Sequence, residues 1–171
     1  MLFRVRSIVH DAIDGQGQKM NTIDSRVILI SDDNDDDVVF LREAMRKAGI
    51  ANPTYRVRDG EGLIQYLSGQ GVYADREPHP IPFLILLDLK MPRTNGFEAI
   101  AWIRQQPIFR RIIIIILSGS FLPDEIIQAY DLGANSFLAK PTQLYHLIEL
   151  MDDVRKYWLS RNRHALCESC L

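Results

Sequence analysis

Cysteine is nearly absent from this chain. Cys167 and Cys170, close to the tail, are the only two among 171 residues. That excludes a disulfide framework and fits a reducing compartment, the cytoplasm. Long apolar runs are absent too. The longest, Ile112 to Leu117, is far too short to cross a bilayer, so no membrane association is expected. The amino-terminal stretch is interrupted by His10, Asp11 and Asp14 and carries no small-residue cleavage site, which argues against a signal peptide. No charge sign dominates: 20 Lys and Arg against 22 Asp and Glu leave −2, which speaks against a broad basic surface for nucleic acid. The four histidines, His10, His79, His146 and His164, are scattered and suggest no catalytic set. His164, Cys167 and Cys170 could together lend ligands to a metal, or the cysteines could form a redox pair. A lone CxxC near a chain end is weak evidence for either.

What is abundant is local. Aspartate crowds the stretch ISDDNDDDVVF, with Asp32, Asp33, Asp35, Asp36 and Asp37 directly after the apolar run Val27–Ile30. That run begins an alternation of apolar strands and helical patterns lasting to about residue 160. Val38, Leu41, Met45 and Ala48 follow helical spacing, with Gly49 at the position after the helix. TYRVR at 54–58 alternates as a half-buried strand does. Leu63, Ile64 and Leu67 give a short helix ending near Gly69. A polar connection leads to FLILLD at 83–88, and Phe97, Ile100 and Ile103 mark a third helix with Trp102 on a neighbouring face. The run IIIIILS at 112–118 is the pattern of a central strand covered on both faces. Pro123 suits the first turn of a fourth helix ending at Gly133. SFLAK is a fifth strand, and Thr142 is placed to cap a fifth helix with Leu144, Leu147, Ile148, Met151 and Val154 inward. Five strictly alternating units predict an α/β fold: a doubly wound (βα)5, flavodoxin-like sandwich with a parallel sheet in order 2-1-3-4-5. The domain is expected over residues 25–160, with a flexible extension at 1–24 (Met20 would serve as a compact start) and a tail at 161–171. No output domain is expected within this chain.

In such a sheet all strands bring their C-terminal ends to one edge, where ligands bind at the reversal of strand order. Strand one ends at Asp32-Asp33, strand three at Asp88, strand four at Ser118 and strand five at Lys140. Three carboxylates with one ammonium carry −2, and two like charges ~4 Å apart repel by about 4 kcal/mol at an effective dielectric near 20. A divalent cation with hard oxygen ligands, Mg²⁺, relieves that. An aspartate beside the metal can attack phosphorus, with Lys140 and Ser118 stabilising the transferring group. Asp35, Asp36 and Asp37 are read as first-turn residues of the first helix, offsetting its dipole at typically 0.3–1 kcal/mol each.

These residues resemble a known family. ILISDDN, LILLDLKMPRTNG, IIILSGS and LGANSFLAKP are similar to the sequence blocks of the receiver domains of two-component response regulators (CheY-like), over roughly residues 26 to 160. The resemblance implies Asp88 as phosphoacceptor from a sensor histidine kinase, Asp33 as direct metal ligand and Asp32 as a ligand largely through water. It implies the Lys90 carbonyl as a further ligand, Ser118 and Phe137 as switch residues, Lys140 as the phosphoryl-binding lysine, and a cis Lys140–Pro141 peptide. The connection before strand three and the endings YDLGANSFLAKP and YWL resemble stand-alone receivers paired with phytochrome-type kinases. The reading is therefore a phosphorylation-dependent signalling protein, with at most autophosphatase activity. A Mg²⁺-dependent aspartate-nucleophile phosphatase is the first alternative, but Lys90 stands where its second acid would be. A phosphorylation-independent adaptor is the second. With no output domain, the signal is expected to leave through the fourth helix, fifth strand and fifth helix, where a homodimer could form. Tyr130, Phe137, Tyr145, Tyr157 and Trp158 are the candidates for that contact.

Overall fold

The structure, a computed structural model, describes residues 26–120 and 122–163. The expected extension at 1–24, and His164, Cys167 and Cys170, lie outside the described residues. Among the described residues five strands and five α-helices alternate: β1 (Ile28–Ser31), α1 (Asp35–Lys47), β2 (Thr54–Val57), α2 (Gly60–Ser68), β3 (Leu84–Leu87), α3 (Gly96–Gln105), β4 (Ile113–Ser118), α4 (Pro123–Asp131), β5 (Ser136–Ala139) and α5 (Leu144–Val154). The sheet is parallel throughout, in order β2-β1-β3-β4-β5. Strand order thus reverses between β1 and β3, as the alternation predicts.

Period-2 alternation explains the unbroken apolar strands. On β4, Ile114 and Ile116 face a core shared with α2 and α3, built with Leu63, Leu67, Ile100 and Ile103. Ile113, Ile115 and Leu117 face the opposite core, with Leu41 and Met45 of α1 and Leu147 and Met151 of α5. Both faces are covered, so no position on β4 can be polar until Ser118. A fully buried isoleucine contributes about 1.5–3 kcal/mol relative to an exposed one, so this strand anchors the whole sheet. β5 is an edge strand and is only half-buried.

The helix ends follow the local chemistry. Asn34 caps α1, its side-chain oxygen accepting from the N–H groups of Asp36 and Asp37 at 2.9 and 3.3 Å. Asn95 and Glu98 form a reciprocal capping box on α3. Pro123 occupies the first turn of α4, and Gly133, at φ +97°, follows its last residues. Two expectations fail. Thr142 does not cap α5: the helix starts at Leu144 with Gln143 at the cap position and no side-chain cap bond. Thr142 therefore stands one residue too early for its hydroxyl to reach the first free amides. Nor is Lys140–Pro141 cis; the described residues contain no cis peptide. Trans is the lower-energy form of an X–Pro bond, and from it the Lys140 side chain already reaches its carboxylate partners. Beyond α5 a π-helical turn, Arg155–Arg161, brings Trp158 and Leu159 against the α1–α5 core and leaves Tyr157 exposed.

Candidate functional site

The sheet ladder continues one residue past the strand ends, and this is what positions the site. The Asp32 N–H donates to the Val57 carbonyl at 3.1 Å, the Asp88 N–H to Ser31 at 2.9 Å, and the Lys140 N–H to Ser118 at 2.8 Å. Each residue is thereby fixed at the C-terminal edge while its side chain is free of the pleat. Asp32, Asp33 and Asp88 converge: one carboxylate oxygen from each lies within 4.8 Å of the others. Asp32 is buried, Asp33 exposed and Asp88 between the two.

The three carboxylates are held differently. Asp32 accepts from the Asn34 N–H at 2.9 Å through one oxygen and from the Lys140 ammonium at 2.6 Å through the other. Asp33 faces solvent. Asp88 accepts from the backbone N–H groups of Leu89 and Lys90, yet its pKa lies above the ordinary aspartate value. Burial is the main cause, and the Asp32 carboxylate adds to it against the attraction of Lys140. Burial would by itself lower the Lys140 pKa, but hydrogen bonds to Asp32 and Asp37 outweigh it and hold the ammonium above the usual lysine value.

At 4.8 Å and an effective dielectric near 20, each pair of carboxylates repels by about 3.5 kcal/mol. One ammonium already shared between Asp32 and Asp37 cannot offset three such pairs. A divalent cation can, and the oxygen-only donor set suits a hard one. The carboxylates thus fit the metal that their charge calls for.

The loop after Asp88 is packed into place. A Cβ on Gly96 would lie 2.8 Å from the Asp88 carbonyl oxygen and 2.9 Å from Leu89 Cα, so α3 can begin this close to the site only with glycine there. The Gly96 N–H donates to the Leu89 carbonyl at 3.2 Å. Arg93, in the left-handed region at φ +65°, bonds the buried Asp59 carboxylate and so ties this loop to the start of α2. Lys90 is exposed on the same loop. Ser118 is fully buried at the end of β4, its hydroxyl oxygen accepting from the Ser120 N–H at 3.2 Å. Phe137 is half-buried against the core on the α2–α3 side, and its N–H donates to the Tyr130 hydroxyl at 3.2 Å.

Of the residues expected to meet, Asp32, Asp33, Asp88 and Lys140 form one cluster, and Ser118 and Phe137 stand on the neighbouring strands. Two contributors went unread in the sequence. Arg93 gave no local signal. Asp37, read only as a first-turn acid, lies 2.8 Å from the Lys140 ammonium.

A doubly wound five-stranded sheet with this acidic pair, third carboxylate, hydroxyl and lysine at its strand ends defines the receiver class of signalling domain. The family model described as "Response regulator receiver domain" matches residues 28–152, and the chain belongs to that family. Rcp1, a response regulator of Synechocystis sp., is 34% identical over 134 residues, which cover 78% of this chain and 89% of that protein. The Mn(2+)-bound form of Rcp1 superposes with a TM-score of 0.73 at 32% identity, over 82% of this chain and 99% of that one. RPA3017, a response regulator in red light signaling of R. palustris, gives a TM-score of 0.79 at 31% identity, over 83% of this chain and 99% of that one. The chain is therefore a two-component response regulator receiver resembling phytochrome-associated regulators such as the cyanobacterial phytochrome response regulator RcpA, which gives a TM-score of 0.75 at 32% identity over 82% of this chain and 98% of that one, and the family implies a histidine kinase partner. No helix among the described residues is long and apolar enough to cross a membrane.

Proposed function

We propose that this protein takes a phosphoryl group from a histidine kinase onto Asp88 and signals through its own altered surface. The convergence of Asp88 with Asp32 and Asp33, with a largely buried lysine at their margin, carries the reading. A carboxylate oxygen of Asp88 attacks the phosphorus of the kinase phosphohistidine. The P–O bond forms as the P–N bond breaks, and the imidazole leaves and recovers its proton from solvent. No general base is needed, because the ionised carboxylate is already the nucleophile. Mg²⁺ would be held by Asp32, Asp33 and Asp88 with the Lys90 carbonyl, and would supply charge neutralisation at the phosphoryl oxygens. Lys140 offers a positive charge to the same oxygens, and the Ser118 hydroxyl, whose oxygen accepts from the Ser120 N–H, donates its proton to one of them. Movement of Ser118 leaves room for Phe137 to turn inward.

The resemblance to RPA3017 and to RcpA, described as a cyanobacterial phytochrome response regulator, supports a phytochrome-type kinase as the donor. Ile127 and Tyr130 on α4, Tyr145 on α5 and Tyr157 beyond it are exposed, which supports a homodimer through the α4–β5–α5 face. Phe137 and Trp158 are partly buried and contribute less to it. Residues 25–160 form the receiver unit, acting in the cytoplasm as a signalling module rather than a phosphatase. Labelling with acetyl phosphate or a phosphorylated kinase tests the centre of this reading. Asp88→Asn should fold and take no label; undiminished labelling would sink the assignment.

A further inference from the structure

The aspartates after the metal pair do not all serve the same purpose. Asp35 faces Arg56 and Arg58, the latter at 2.9 Å. Asp37 turns to the site, its carboxylate 2.8 Å from Lys140 Nζ, while Asp32 takes the same ammonium at 2.6 Å. The Lys140 side chain is only 11% exposed, so water contributes little to its solvation and these two carboxylates dominate. The position of Asp37 is set independently of the lysine, because its N–H is held by the cap residue Asn34. Asp37 itself is 44% exposed and can be released into water at small cost.

An ammonium has three donors, and two are committed here. A phosphoryl group on Asp88 brings further anionic oxygens that need the same cation. Asp32 is buried, and releasing the lysine would leave its carboxylate only the Asn34 N–H as a hydrogen-bonding protein partner. Asp37 can release the lysine.

We propose that Asp37 is a positioning residue that parks the Lys140 ammonium before phosphorylation and competes with the phosphoryl oxygens for it. The inference rests on the Asp88 phosphoacceptor reading. Asp37 thereby biases the receiver toward its unphosphorylated form, and its release accompanies activation.

The test uses the full chain at fixed Mg²⁺ and beryllofluoride as phosphoryl mimic. Asp37→Asn is expected to bind the mimic about two- to five-fold more tightly, equal to roughly 0.4–1 kcal/mol. Asp37→Glu, which keeps the charge and can still reach, should stay near the wild type. In a Lys140→Ala background Asp37→Asn should change nothing. Unchanged or weaker binding by Asp37→Asn overturns the proposal. So does an equal gain without the lysine, which would be a general charge effect. The metal-free protein offers a second readout should Lys140→Ala bind too weakly to titrate. Proton exchange of the Lys140 ammonium, followed by ¹⁵N NMR, should accelerate in Asp37→Asn, and unchanged exchange overturns the parking role. Failure of the phosphoacceptor reading is distinct: Asp88→Asn would then bind the mimic as tightly as the wild type, whatever Asp37 does.

Discussion

Replacing Asp88 by asparagine should stabilise the metal-free protein at neutral pH. Burial and the Asp32 carboxylate hold the Asp88 pKa above its ordinary value. A raised carboxyl pKa means that the folded state binds the proton more tightly than the unfolded chain does. Ionised Asp88 therefore costs stability, and the cost is absent below the unfolded pKa of about 3.9 and complete above the folded one. Desolvation of the ionised carboxylate is the first part of that cost, Lys140 opposes it and Asp32 adds to it; one carboxylate neighbour at 4.8 Å and a dielectric near 20 adds at most ~3.5 kcal/mol. Water around exposed Asp33 screens this to roughly 1–2 kcal/mol. The asparagine oxygen can still accept from the Leu89 or Lys90 N–H, so little is lost in exchange. For a domain of this size each kcal/mol moves Tm by about 2–4 °C. Thermal unfolding by circular dichroism in EDTA at pH 7 should show Asp88→Asn melting a few degrees higher. The gap should narrow as pH falls through the raised pKa. Mg²⁺ at ten times its Kd should stabilise the wild type by about 1.4 kcal/mol and the variant by less. A variant that melts lower in EDTA, or a gap indifferent to both pH and Mg²⁺, would refute the reasoning.

Asp33→Ala should lose Mg²⁺ binding, since Asp33 is the exposed member of the cluster and the one least engaged by the protein; equal titration curves with and without it would move the site elsewhere. Gly96→Ala should cost about 1–3 kcal/mol in urea unfolding and slow labelling of Asp88, because the new Cβ would push on the Asp88 carbonyl; an unchanged midpoint would contradict the close packing. Ile115→Ala, with Ile115 fully buried in the centre of β4, should cost about 2–5 kcal/mol; a loss within the range of surface substitutions would mean that β4 does not anchor the core. Sedimentation velocity with beryllofluoride should show a shift toward dimer at micromolar concentration, and a monomer in both states would exclude the α4–β5–α5 contact.

Periodicity determined most of this protein from sequence alone. A six-residue run of isoleucine and leucine is too short for most helices and rich in β-branched side chains, which favours a strand covered on both faces, and alternating strands and helices leave a parallel, doubly wound sheet as the natural solution. From there the strand-end residues Asp32, Asp33, Asp88, Ser118 and Lys140 could be brought to one edge without coordinates. These inferences succeed because each rests on residues within a few positions of one another, plus one rule of topology. Tertiary structure decided what depends on distance and angle between elements. Asp37 and Lys140 are 103 residues apart, and nothing near either one announces that the first turn of α1 stands over the end of β5. Arg93 reaches Asp59 across 34 residues in the same way. The start of α5 at Leu144 rather than beside Thr142, and the π-helical turn that places Trp158 against the core and leaves Tyr157 exposed, could not be read from local pattern. Local pattern carries which face of an element is apolar; only packing determines where along its neighbour that face comes to rest.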